Sequence, residues 1–161
     1  EAGMAEGLAG VVFVSPNFAL AEPTGRVLQW PFAGLIAQTL LGPERGFEPI
    51  NEAQATYWTV WHPTMAVVRM GAIMREVRLR DMSLARMPAL FVFSDADQVV
   101  SPPATRRMAE RWGGPAQLAP QTLPSEGVDP SAHVIAGDIV SPAMTDTVAA
   151  QILDWVGQLQ D

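Results

Sequence analysis

Two short stretches of this chain are apolar at every position. Val11–Val14 is β-branched or aromatic throughout and stops at Ser15-Pro16-Asn17, and Ala89–Phe93 (Ala-Leu-Phe-Val-Phe) is entered through Pro88. Unbroken runs of this length, bounded by turn residues, predict strands buried on both faces. Two of them predict a parallel sheet covered by helices. A third segment, Gln117–Leu123, is a weaker strand, and its Pro120 lacks a ladder donor, which restricts it to an edge.

Helical periodicity appears in three places. Near the end, Met144, Val148, Ile152, Trp155 and Leu159 recur at spacings of 4, 4, 3 and 4 after Ser141-Pro142, one apolar stripe that can pack on the sheet. Ala104–Trp112 follows Ser101-Pro102-Pro103 and precedes Gly113-Gly114, which supplies an N-cap, prolines in the first turn and a glycine stop. Met65–Arg80 places Ala66, Met70, Ile73 and Val77 on one face. Glu1–Gly10 reads as the tail of a helix already under way. About seventy residues without a strand-like stretch separate the two apolar runs, too long for an ordinary connection, and they read as a helical lid.

Composition narrows the possible functions. The 161 residues carry ten Lys+Arg against seventeen Asp+Glu, a formal net charge of −7, and all ten basic residues are Arg. That balance repels phosphate backbones and argues against nucleic-acid binding. Arg69, Arg75, Arg78, Arg80 and Arg86 are locally basic, as a solvated helix face would be. The absence of Cys excludes disulfides, thiolate nucleophiles and Cys-ligated metals, and two His make an all-protein metal site improbable. Apolar runs are too short to span a membrane and no signal peptide is evident, so a cytoplasmic protein without metal or cofactor is expected.

The sharpest chemical signal is Ser94-Asp95-Ala96-Asp97-Gln98-Val99-Val100, two carboxylates just past a buried strand, where open α/β sheets gather their ligands and reactive groups. The second is His133, in the loop that precedes the last helix. An imidazole can take and return a proton near neutral pH when a carboxylate fixes its tautomer through Nδ1–H. Spacing alone fits equally well a plain loop histidine and a turn carboxylate. His62, between Trp61 and Pro63, reads as a packing or pre-proline residue, and Asp138 as a loop or cap carboxylate.

The order strand, Asp97-Gln98-Val99-Val100-Ser101-Pro102, helix, edge strand, His133 loop, closing helix resembles the second half of an α/β-hydrolase. There a strand ends in a pattern near G-x-x-D-x-V-V-x-P, and a histidine follows some thirty residues on. Ser94 stands in the position of the usual Gly, and Asp97 and His133 are 36 residues apart. The resemblance implies that Asp97 is the triad acid and His133 the base, that residues 1–19 and 87–161 form core, and that residues 20–86 form a cap like that of monoacylglycerol-lipase-like and carboxylesterase-like members. It further implies an apolar small-molecule ester as substrate, with Trp30, Phe32, Tyr57, Trp58, Trp61, Met65 and Met70 available to wall an acyl pocket. The nucleophile elbow G-x-S-x-G is absent from these residues. By this resemblance it belongs upstream of Glu1, the 161 residues alone do not turn over esters, and the open edge of the first strand either meets the missing half or self-associates.

Two other readings stay open. Asp95-Ala96-Asp97-Gln98-Val99 resembles the D-x-D-x-[T/V] signature of haloacid-dehalogenase-like phosphotransferases, which implies Asp95 as nucleophile and Asp97 as acid beside Mg²⁺. Against it, the motif stands late in the chain and no Lys is present for phosphate. The chain could also come from a non-catalytic α/β-hydrolase relative used as a binding module.

Overall fold

The computed structural model describes residues 7–22, 39 and 42–159. Its centre is β4 (Ala89–Ser94), whose six residues are all buried. Side chains alternate across a strand, so an all-apolar run must be covered on both sides. Ala89, Phe91 and Phe93 pack with Phe18 and with Ala104, Met108 and Ala109 of α3 (Pro102–Arg111). Leu90 and Val92 face the opposite way, against Ile135 and against Met144, Val148 and Trp155 at the start and along the inner face of α4 (Thr145–Gln158). The stripe predicted for the last helix is the one that packs. The helix begins with a 3₁₀ turn at Pro142–Met144 rather than directly at Pro142.

Strand β4 lies between β1 (Val11–Val14) and β5 (Ala116–Gln121), parallel to both, which gives the order β1-β4-β5. The third strand thus begins and ends one to two residues earlier than predicted. Pro120 sits opposite Phe93 in this outer strand, where its missing N–H costs no ladder bond on the far side. The expectation that Val11–Val14 is buried on both faces is corrected: its residues are half-buried and Val14 is exposed. Among the described residues β1 pairs with β4 alone, so its outer edge has no neighbour to cover it.

The stretch between β1 and β4 departs further from expectation. It contains a small antiparallel pair, β2 (Glu44–Gly46) with β3 (Trp61–Pro63), besides α1 (Glu52–Tyr57) and α2 (Thr64–Leu79). Neither three-residue strand has a period-2 pattern that a sequence reading could find. In α2 the buried positions are Thr64, Gly71 and Met74, whereas Ala66 and Ile73 of the predicted face are exposed. Thr64 fixes the helix start, its hydroxyl donating to the Gly42 carbonyl at 2.7 Å, and so sets which face turns inward. Trp30 and Phe32 lie outside the described residues, as do residues 1–6 of the expected first helix; Gly7–Gly10 are turn and coil.

Around Gly113 and Gly114 the constraint is space. A Cβ on Gly113 would stand 1.9 Å from the Ser83 carbonyl oxygen, and one on Gly114 2.4 Å from that of Arg86. The chain before β4 therefore lies directly on the end of α3, beyond what a helix stop requires. Ser101 occupies the N-cap position of α3 without a side-chain capping bond. Among the described residues no helix is long and apolar enough to cross a membrane.

One side of the core is an aromatic cluster. Phe13 stacks on Phe91 with centroids 4.9 Å apart, and Trp112 meets both rings edge-on at 5.5 and 5.9 Å. Truncating a fully buried ring at the middle of β4 loses its transfer energy and leaves a cavity. Phe91→Ala is expected to lower unfolding free energy by about 3–5 kcal/mol, read as a fall in the urea midpoint.

Candidate active site

Strand β4 ends at Ser94, and a tight turn brings Asp97 back inward. The Ser94 hydroxyl accepts the N–H of Ala96 at 3.2 Å, and its carbonyl accepts that of Asp97 at 3.3 Å. The Asp97 side chain is 1% exposed. Its Oδ1 accepts the N–H groups of Val99 (2.8 Å) and Val100 (2.9 Å), and Oδ2 lies 2.9 Å from Nδ1 of His133. Both predicted site residues are therefore in direct contact. A carboxylate has no proton to give, so Nδ1–H donates and the lone pair is left on Nε2. The imidazole is 28% exposed, so the carboxylate is dry and the imidazole reaches solvent.

Backbone pairing holds the acid loop from two sides. The segment after β1 bonds to it through Ala21 N–H to Val99 O (3.0 Å) and Ser101 N–H to Ala19 O (2.8 Å). On the other side Gln98 N–H donates to Ser131 O at 2.9 Å, and the Gln98 amide to Pro130 O at 3.3 Å. The acid loop and the histidine loop are thus joined by backbone as well as by the side-chain pair.

The histidine loop is organised by Asp129, which sequence reasoning did not single out, and by Ser141, which it read only as the start of the last helix. Asp129 accepts four bonds: the Ser131 N–H on Oδ1 (3.0 Å), and on Oδ2 the Ser131 hydroxyl (2.7 Å), the Val134 N–H (2.9 Å) and the His133 N–H (3.2 Å). Ser141, fully buried, accepts the Asp129 N–H at 2.9 Å and donates to the Val134 carbonyl. Ala132, buried between them, has φ +55°, a left-handed backbone that costs a non-glycine residue about 1–3 kcal/mol. Burial pushes the Asp129 carboxyl up, but the bonds from Val134, Ser131 and His133 outweigh it and hold the carboxyl below its ordinary value. The signal in the sequence was Asp129-Pro130-Ser131, a turn-initiating triplet.

Side-chain bonds also join the described part of the inserted segment to this edge. Asn51 caps α1, its Oδ1 accepting the Gln54 N–H at 2.8 Å, while its amide donates to Ile139 O at 2.6 Å. Gln54 returns the bond by accepting the Ile50 N–H at 2.8 Å, an arrangement close to a capping box that Asn51-x-x-Gln54 announces in the sequence. Asn17, after β1, donates its amide to Met70 Sδ of α2 at 3.3 Å.

The other candidates stand apart. Asp95 is exposed and binds Arg106, whose Nη2 lies 2.7 and 2.8 Å from its two oxygens and whose guanidinium sits over Phe93. The two carboxylates of the Asp95-Ala96-Asp97 motif thus have separate partners. His62 is half-buried in β3 opposite Arg45, and Asp138 is exposed. Tyr57 and Trp61, expected in an acyl wall, are exposed, because α1 and the β2–β3 pair turn them outward; Trp58 packs edge-on against Phe47.

No protein-family model and no curated protein matches the chain. Solved structures do. One is a lipolytic enzyme of the pair LipS and LipT, both metagenome-derived: TM-score 0.63, 15% identity, over 97% of this chain and 58% of the other. Another is a soluble variant of monoglyceride lipase from Saccharomyces cerevisiae bound to a substrate analog: TM-score 0.57, 10% identity, over 92% of this chain and 55% of the other. The chain spans a little over half the length of each. Its parallel sheet with helices on both faces matches part of the α/β-hydrolase fold of these structures.

The lowered Asp129 carboxyl gives a signed pH dependence. Below the ordinary value of 3.8 the unfolded chain takes up this proton before the native one does. The contribution is complete above about pH 4–5 and is lost as pH falls through the lower native value. In urea melts, the stability gap between wild type and Asp129→Asn should be constant near neutrality and narrow below about pH 4.

Proposed function

We propose that this chain supplies the base and its orienting carboxylate to a serine hydrolase that cleaves carboxylic esters. The observation that carries the reading is the 2.9 Å bond from His133 Nδ1 to Oδ2 of a fully buried Asp97, with the imidazole itself open to solvent. With Nδ1–H committed to Asp97, Nε2 is the atom that accepts the proton of an attacking hydroxyl. The resulting imidazolium is stabilised by the carboxylate behind it. The same nitrogen returns the proton to the departing alkoxide, and a second cycle activates water against the acyl-enzyme.

The attacking serine comes, in this reading, from outside the 161 residues, which contain no G-x-S-x-G. Two features support that. The chain spans a little over half of the lipolytic enzymes it superposes on. The outer edge of β1 is unpaired among the described residues and offers strand groups to the rest of a sheet. An apolar ester fits the lipolytic relatives, and residues 20–86 would cover it as a lid. The proposed reaction uses side chains alone, without metal or cofactor.

In a protein that joins these residues to the nucleophile, His133→Ala and Asp97→Asn should each lower kcat on a p-nitrophenyl ester by about 10³-fold or more. Asp95→Asn, which breaks a solvent-exposed ion pair, should cost less than about tenfold. Wild-type turnover in His133→Ala, or a larger loss at Asp95 than at Asp97, would remove the assignment. The 161-residue chain alone should show no ester turnover.

A further inference from the structure

We propose that Asp129 is the positioning residue of this site: its carboxylate holds Ala132 in a left-handed backbone and so aims the His133 imidazole at Asp97. The inference rests on the proposed acid–base pair and adds the part that sets its geometry. None of the four bonds to the Asp129 carboxylate comes from the imidazole. One comes from the Ser131 hydroxyl and three from the N–H groups of Ser131, His133 and Val134, a run of amides converging on one anion. The Asp129 carbonyl accepts the N–H of Ala132 at 2.9 Å, closing the turn from the other side. Residue 129 therefore bonds to every amide from 131 to 134.

That matters because residue 132 is an alanine at φ +55° immediately before the base. Alanine prefers negative φ, and a return to it would rotate the bond from residue 132 to 133 and carry the imidazole away from Oδ2 of Asp97. The carboxylate opposes this by binding the amides on both sides of the strained residue. Its own position comes from the core. Ser141 accepts the Asp129 N–H, donates to Val134 O, and stands at the head of the 3₁₀ turn and helix that pack on β4. Sheet, closing helix, Ser141, Asp129, loop and imidazole form one continuous chain of contacts.

The test uses the 161-residue chain and proton NMR of the hydrogen-bonded Nδ1–H of His133, separated from the other imidazole by His62→Gln. Wild type should give a protected downfield resonance and Asp97→Ala should lose it. Asp129→Ala should lose it too, or raise its solvent exchange at least about tenfold, with far-UV and near-UV circular dichroism unchanged. Adding Ala132→Gly to Asp129→Ala should restore it, because glycine adopts the left-handed backbone without the anion. Asp129→Asn keeps the shape but turns one acceptor into a donor, and should give an intermediate exchange rate even if the alanine variant fails to fold. In the nucleophile-bearing protein the same substitution should lower kcat by about ten- to a hundredfold at unchanged KM.

A purely structural role would lower the melting temperature and leave the resonance as in wild type; that result in Asp129→Asn, or no rescue by Ala132→Gly, overturns the proposal. Loss of the resonance already in wild type would instead remove the pair on which the proposed function stands.

Discussion

Burial of both faces of Ala89–Ser94 is the constraint on which the rest of the molecule depends. A strand with no exposed side chain needs a helix on each side and a strand on each edge, and this chain supplies α3, α4, β1 and β5 around it. Once those layers are in place, the end of β4 is held from four directions. The turn that follows can then carry a carboxylate into the interior instead of out to water.

A buried carboxylate is tolerated when its lone pairs are engaged. Asp97 meets that demand with two amides on one oxygen and one imidazole on the other. The arrangement is asymmetric in a useful way. The carboxylate is desolvated, which strengthens its hold on a cation, while the imidazole keeps one edge partly exposed. Asp95, two residues away on the same turn, is exposed and spends its charge on Arg106. A single turn separates the two carboxylates into different surroundings.

Among the described residues, the inserted stretch reaches this edge through side-chain bonds of Asn51 to Ile139 and of Met70 with Asn17, while its Val77 and Met82 pack against the core beside Phe91. Both side-chain bonds reach loops that flank the Asp97–His133 pair.

Local pattern determined a good deal. Unbroken apolar runs named β1 and β4, the 4-4-3-4 stripe named the packing face of α4, and the carboxylates after β4 together with the loop histidine drew attention to this sheet edge, where the family resemblance selected Asp97 and His133. Those features are legible because each is a short-range consequence of burial: period, run length and turn residues. What tertiary structure decided was which side chains meet. The inward face of α2 depends on the Thr64–Gly42 bond, the β2–β3 pair on a partner fifteen or more residues away, and the half-burial of β1 on having one neighbour strand. Asp129 was not singled out by its sequence, and its place beneath His133 exists because Ser141 and α4 are brought against the loop. A sequence carries propensities over a few residues, but hydrogen-bond partners are chosen by the fold that brings distant segments within 3 Å.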